Sequence, residues 1–121
     1  MTAGEAIAAA DALRPNQYTT EQKLQWLQLL DGQIRLELFE SHEGAAETAA
    51  GGEYTGDTEL LAPQPYGGEL YTAYLFSRID LANAEIQKYN QSAALVSAAW
   101  RQLADWYNRE HKPLAAGPLK F

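Results

Sequence analysis

Apolar residues recur along much of this chain in steps of three and four, the spacing of a single helical face. Leu24, Leu27, Leu30, Ile34 and Leu38 form one such stripe, and Leu75, Ile79, Ala82, Ile86, Tyr89, Ala93, Val96, Trp100, Leu103 and Tyr107 form a second, longer one. An alanine-rich run up to Leu13 precedes both. The starts are marked by capping-box spacings, Thr2 three residues before Glu5 and Thr19 three before Gln22, and Pro15 closes the first run. These signals predict helices over residues 2–14, 19–41, 69–90 and 92–111. The long stripe passes through "YNQS" without a change of register, which permits one helix of about 40 residues. Asn90 to Ser92 is nevertheless a stop-and-cap sequence, and helices of about 8 to 20 residues are usual in single domains, so a break is expected there. The fold class is therefore all-α, a bundle of about four helices.

Residues 42–68 lack the helical period and carry six glycines and two prolines, which makes them a long connection between the second and third helices. Up to Gly52 the connection is small-residue and acidic. Beyond it, Tyr54, Leu60, Leu61 and Tyr66 supply apolar anchors, and Pro63 and Pro65 stiffen the chain, so a short extended piece or hairpin around Tyr54 to Leu61 is expected against the helices. Residues 1–113 form one helical domain on this reading. Residues 114–121 follow the helix-stopping Pro113, include Gly117 and Pro118, and are expected to be a flexible tail that orders on meeting a partner.

The second helix has apolar residues beyond its stripe: Trp26, Leu29, Leu36 and Phe39. A helix apolar on more than one side is buried on more than one side, so these four are candidates for an oligomer interface. Gly32 within the same helix costs about 1 kcal/mol relative to alanine. It marks either a close crossing by another helix or a slight kink after Asp31, and the sequence leaves both open.

Composition narrows the chemistry. The 121 residues contain no cysteine, which removes disulfides, thiolate catalysis and cysteine-bound zinc. The start of the chain lacks a secretory pattern, and no run approaches the roughly 20 apolar residues needed to cross a bilayer, so a soluble intracellular protein is expected. The net charge is -7, and it is unevenly placed: residues 1–85 hold 14 acids and 4 bases, residues 86–121 hold 2 acids and 5 bases. So acidic a chain repels phosphate, and sequence-specific nucleic-acid binding is not expected.

Sites that need converging groups are scarce. Glu37, Glu40 and Glu43 share a face if the second helix continues, a pattern like the acidic clusters that hold magnesium in all-helical nucleotide hydrolases. Such a site needs a second acidic pair, and Asp80 and Glu85, five residues apart, point in different directions on a helix. "YTGDTE" at residues 54–59 lacks the ligand spacing of a calcium loop and reads as a turn whose aspartate bonds its own backbone. His42 and His111 sit at helix ends without a nucleophile or carboxylate partner in sequence. No phosphate loop is present, and no enzymatic activity, cofactor or metal is expected. Three tryptophans and seven tyrosines instead favour a protein that assembles.

The segments "DALRPNQY", "KLQWLQLLDG", "DTELLAPQPY", "LYTAYL", "IDLANAEIQKYNQS" and "WYNREHKP" occur in an order that resembles the small head-tail connector, or adaptor, proteins of tailed bacteriophages and prophages. The resemblance spans Asp11 to Pro113 and rests on architectural motifs. It implies a helical protein that forms a ring of about a dozen copies, docked on the portal, bridging the capsid to tail-completion or head-closure proteins in the virion neck after assembly in the bacterial cytoplasm. It also implies a terminal segment lodged in the portal, with Leu119 and Phe121 as anchors. The sequence departs from the family pattern at Gly67 and Gly68, where acidic residues are common, and at Ser97 and Trp100, where asparagine and tyrosine are usual. The alternatives are a magnesium-dependent helical nucleotide hydrolase and a small cytoplasmic helical binding module.

Overall fold

The computed structural model describes residues 1–39 and 52–111. Four α-helices carry the fold: α1 (Ala3–Leu13), α2 (Thr20–Ile34), α3 (Tyr66–Ala82) and α4 (Ile86–Glu110). Both expected capping boxes form, with Thr2 and Glu5 closing the start of α1 and Thr19 and Gln22 that of α2. The all-α bundle expected from periodicity is the architecture observed.

Central to the bundle is α3, which packs against α1, α2 and α4. It forms an antiparallel hairpin with α4, held at one end by Ser92 on Asp80 and at the other by Tyr66 stacked on Trp106. Leu27, Leu30 and Ile34 of α2, Leu70, Tyr71 and Leu75 of α3, and Ala99, Leu103 and Tyr107 of α4 meet in one core with Ala3, Ala6, Ile7 and Ala10 of α1. Ala3, Ala6 and Ala10 suit this face of α1 because small side chains let a helix lie close to its neighbours; each of the three is nearly devoid of solvent contact.

Three boundaries differ from the expectation, each for a physical reason. First, the interhelical break lies at Asn83–Glu85, and α4 runs straight through Asn90 to Ser92. The end of α3 is a Schellman closure: Glu85 N–H donates to the Asp80 carbonyl and Ala84 N–H to that of Leu81, with Ala84 at φ 58°. Glycine normally occupies that left-handed position, so an alanine there hides the stop. Ser92, read as a cap, is buried mid-helix, its hydroxyl close to the Lys88 and Tyr89 carbonyls. Ala82 and Ile86, counted in the long stripe, are consequently exposed beside the turn.

Second, α2 gives way to a π-helical turn at Arg35–Phe39. Lengthening the repeat to five residues sets Phe39 below Ile34, so that Leu38 and Phe39 both turn inward. A Cβ on Gly32 would meet nothing within 4 Å, so no helix among the described residues crosses there; the irregularity comes three residues later, at Arg35.

Third, α3 starts at Tyr66 and includes both glycines. A Cβ on Gly67 would stand 2.5 Å from the Ala62 carbonyl oxygen, which leaves no room for a side chain at this position.

The connection between α2 and α3 is extended in its described part, and its pairing partner is the chain start. Ala3 and Gly4 donate to the Thr58 and Gly56 carbonyls at 2.8 and 2.9 Å, and Leu60 donates to that of Met1 at 2.9 Å. Thr2 and Glu59 form an isolated antiparallel bridge in place of a hairpin. The first N–H groups of a helix have no partner within it, and these loop carbonyls satisfy two of them on α1.

Candidate functional site

Inside the fold, the ionisable side chains form three separate clasps. Asp31 of α2 is fully buried. Its Oδ1 accepts from the Tyr71 hydroxyl at 2.5 Å, and its Oδ2 accepts from the Tyr54 hydroxyl at 2.8 Å and the Leu61 N–H at 3.3 Å. The Tyr71 hydroxyl in turn accepts from the Ala62 N–H at 2.8 Å. One carboxylate thus ties the connecting loop and α3 to α2. Burial raises its pKa from the ordinary 3.8, against the lowering effect of the Tyr71, Tyr54 and Leu61 hydrogen bonds and of the Arg35 charge. Burial, the negative charge of Asp31 and the bonds to it push the Tyr54 and Tyr71 hydroxyls up, so both remain protonated donors. Gln28, one turn earlier on α2, brackets the same loop by donating to the Gly52 carbonyl at 3.1 Å and accepting from the Tyr54 N–H at 3.4 Å.

Asp80 of α3, also fully buried, is held differently. Its Oδ2 accepts from the Arg14 guanidinium and from the Ser92 hydroxyl, the latter at 2.9 Å. The Arg14 guanidinium also lies 4.4 Å from the Phe76 ring centroid. Lys23 of α2, buried by neighbouring side chains, places its ammonium 3.0 Å from both carboxylate oxygens of Asp11. A buried charge is tolerable only when paired and hydrogen-bonded, and these groups are. None of the three clasps was legible as such in the sequence, because each joins residues 12 to 66 positions apart.

The acidic candidates do not gather. Glu37 is exposed and accepts from the Gln33 side chain at 3.4 Å, while Glu40, Glu43 and His42 lie outside the described residues. Asp80 is buried, whereas Glu85 is at the surface with Lys88 3.3 Å away. Among the described residues, no group of three or more histidines, aspartates and glutamates is placed to hold a metal ion. The turn at residues 55–58 is closed by threonine hydroxyls, not by Asp57 as expected: Oγ1 of Thr58 accepts from the Thr55 N–H, and Oγ1 of Thr55 from the Asp57 N–H. The ring of His111 stacks on Tyr107 with centroids 3.9 Å apart. No helix of the described residues is long and apolar enough to cross a membrane.

The four candidate interface residues divide. Phe39 belongs to the core: it is buried and stacks on Tyr107, ring centroids 4.7 Å apart, so it is not available at the surface. Trp26 is half-buried, edge-on to Tyr18 at 5.8 Å, with the Arg78 guanidinium 5.5 Å from its ring. Leu29 and Leu36 are the ones that project, at 58% and 64% exposure. The anchors Leu119 and Phe121 lie outside the described residues.

Between α2, α3 and α4 runs an open groove of about 510 Å³. Leu30 is buried at its floor, and half-buried Tyr74, Val96, Trp100 and Ala104 extend the apolar surface; Glu37 and Arg101 are its charged lining groups. The longer helical stripe pointed to Val96 and Trp100 as core. The gap appears because α2 and α4 both lean on α3 and leave space between them over Tyr74. Comparison with known protein families, with curated proteins and with solved structures returned no match.

Proposed function

We propose that this protein is a structural head-tail connector of a tailed bacteriophage or prophage, a ring-forming part that docks on the portal and meets a tail-completion or head-closure protein on its other side. The observation that carries the reading is a pair of exposed leucines, Leu29 on α2 and Leu36 seven residues later in the π-helical turn that follows it, beside a helix whose inner face is already filled by Leu27, Leu30 and Ile34. Large apolar side chains left at the surface of a well-packed helix suit contact with another protein. The buried carboxylates point the same way, since each is committed to holding helices and loop together. The order of sequence segments from Asp11 to Pro113 supplies the kind of assembly.

Electron microscopy of the purified protein, alone and mixed with the portal encoded beside its gene, tests the proposal. Rings seated on the portal are the expected result, and their loss in a Leu29→Gln, Leu36→Gln double variant of unchanged helicity ties them to this face. A protein that neither rings nor binds the portal at high concentration overturns the reading.

A further inference from the structure

We infer that Leu29 of α2 and Leu36 of the π-helical turn after it seat in a groove between α3 and α4 of a second copy of this chain. The inference rests on the reading of those leucines as a contact face, and it adds what they contact. This groove is separate from the one over Tyr74: it encloses about 500 Å³, and among the described residues α3 and α4 alone line it. Gly68, Ala73, Ala98 and Ala99 are too small to fill the space, and Phe76 and the exposed Leu95 supply its larger apolar surfaces. Large apolar side chains are what the groove lacks, and the two leucines are large apolar side chains that the monomer leaves uncovered.

Spacing and charge select the occupant. Seven residues separate Leu29 from Leu36, Glu69 from Phe76 along α3, and Leu95 from Gln102 along α4, and seven residues of helix advance about 10.5 Å. Ridge and groove are thus equally long, and anchors seven apart are a pattern by which a helix occupies a groove. Glu69 places a carboxylate at the groove of a chain whose net charge is -7, so an acidic face is repelled from it. Between Glu21 and Glu37 the single acid is Asp31, which is buried, and the neutral Gln25 and Gln33 stand one turn to either side of Leu29. Other exposed apolar groups do not form such a ridge: Leu13 ends α1 by itself, and Leu81 and Ile86 bracket a turn beside Glu85. Because ridge and groove lie on different elements, the contact is head-to-tail, and every copy in a chain of contacts uses one of each.

Disulfide trapping tests the contact. The chain has no cysteine, so Leu36→Cys and Ala98→Cys each give a protein with a single thiol. Mixed at high concentration and oxidised in air, the two are expected to form the disulfide between positions 36 and 98 severalfold above either like-with-like product. The same excess is expected over the product of Leu36→Cys with Ala8→Cys, a control on the exposed face of α1. A chain carrying Leu36→Cys and Ala98→Cys together should give a ladder of covalent oligomers. Predominance of the 36–36 product, a 36–98 yield no higher than the control, or a double variant that stops at dimers each overturns the inference. The connector reading fails separately: cross-linking as expected in a protein that does not bind the portal overturns that reading alone, and rings on the portal without the 36–98 excess overturn this inference alone.

Discussion

Two buried carboxylates hold this fold, and they are partnered in opposite ways, with Oδ1 of Asp80 left without a hydrogen-bond partner among the described residues. Asp31 is surrounded by neutral donors, two tyrosine hydroxyls and a backbone N–H, and it anchors a loop to the bundle. Asp80 is matched by a full charge, Arg14, with Ser92 beside it, and it anchors α1 and α4 to α3. Neutral donors leave part of the desolvation of Asp31 uncompensated, and its pKa rises accordingly. The loop clasp can therefore accept a proton or a neutral replacement with modest loss, whereas the helix clasp loses its counter-charge altogether when Arg14 is removed.

The largest expected effect follows from that difference. Arg14→Met leaves the Asp80 charge buried without its cation, and breaking a buried pair by removing one member typically costs about 3 to 5 kcal/mol. Urea denaturation measures it; a loss below about 1 kcal/mol would abolish the distinction between the clasps. At Asp31, Tyr71→Phe removes the hydroxyl that both donates to the carboxylate and accepts from Ala62, and a loss of about 1 to 3 kcal/mol is expected for buried groups left unpaired.

The loop clasp also responds to pH. Because the folded pKa of Asp31 is raised, the native state holds its proton more firmly than the unfolded chain does. Its contribution is fully present below the ordinary value of 3.8 and fades as pH rises through the raised one. Asp31→Asn is thus most destabilising, relative to the parent, in acid, and the penalty shrinks as pH rises through that window. A penalty that grows from pH 3 toward neutrality would show that the hydrogen bonds outweigh the burial.

Smaller effects sharpen the comparison. Ala84, in the left-handed turn next to the Asp80 carbonyl's hydrogen bond, accepts glycine at lower strain, and Ala84→Gly is expected to stabilise by up to about 1 kcal/mol in thermal unfolding. An unchanged or lowered midpoint would mean that the gain in unfolded-chain entropy offsets the relief of strain. Smallest of all, Leu29→Gln, on the helix that carries Asp31, and Leu36→Gln, in the π-helical turn after it, should change folding stability by no more than about 0.5 kcal/mol while weakening self-assembly in sedimentation experiments. A large fall in stability would place these leucines in the monomer's own packing.

The legibility of the molecule was uneven, and the pattern has a cause. Local signals were read well where the local chain decides: the two capping boxes, the stop at Pro15 and the inward stripe of α2 all depend on residues three or four apart. The turn at Asn83–Glu85 was missed because its decisive residue is an alanine in a glycine's place, held there by hydrogen bonds to Asp80 and Leu81. Phe39 was read as surplus because an α-helical period puts it off the stripe; the π turn brings it inward onto Tyr107.

By itself, then, the sequence determined that this chain is helical, where its first two helices start, and which face of α2 turns inward, since those properties follow from periodicity and caps within one or two turns. Tertiary structure alone decided that Asp31 holds the loop against α2, that Arg14 finds Asp80 across 66 residues, that the loop pairs with the chain start, and that a groove opens over Tyr74. The physical reason is that burial sets these outcomes: a carboxylate chooses its donors only when water has been removed, and which residues remove it depends on contacts far apart in the chain.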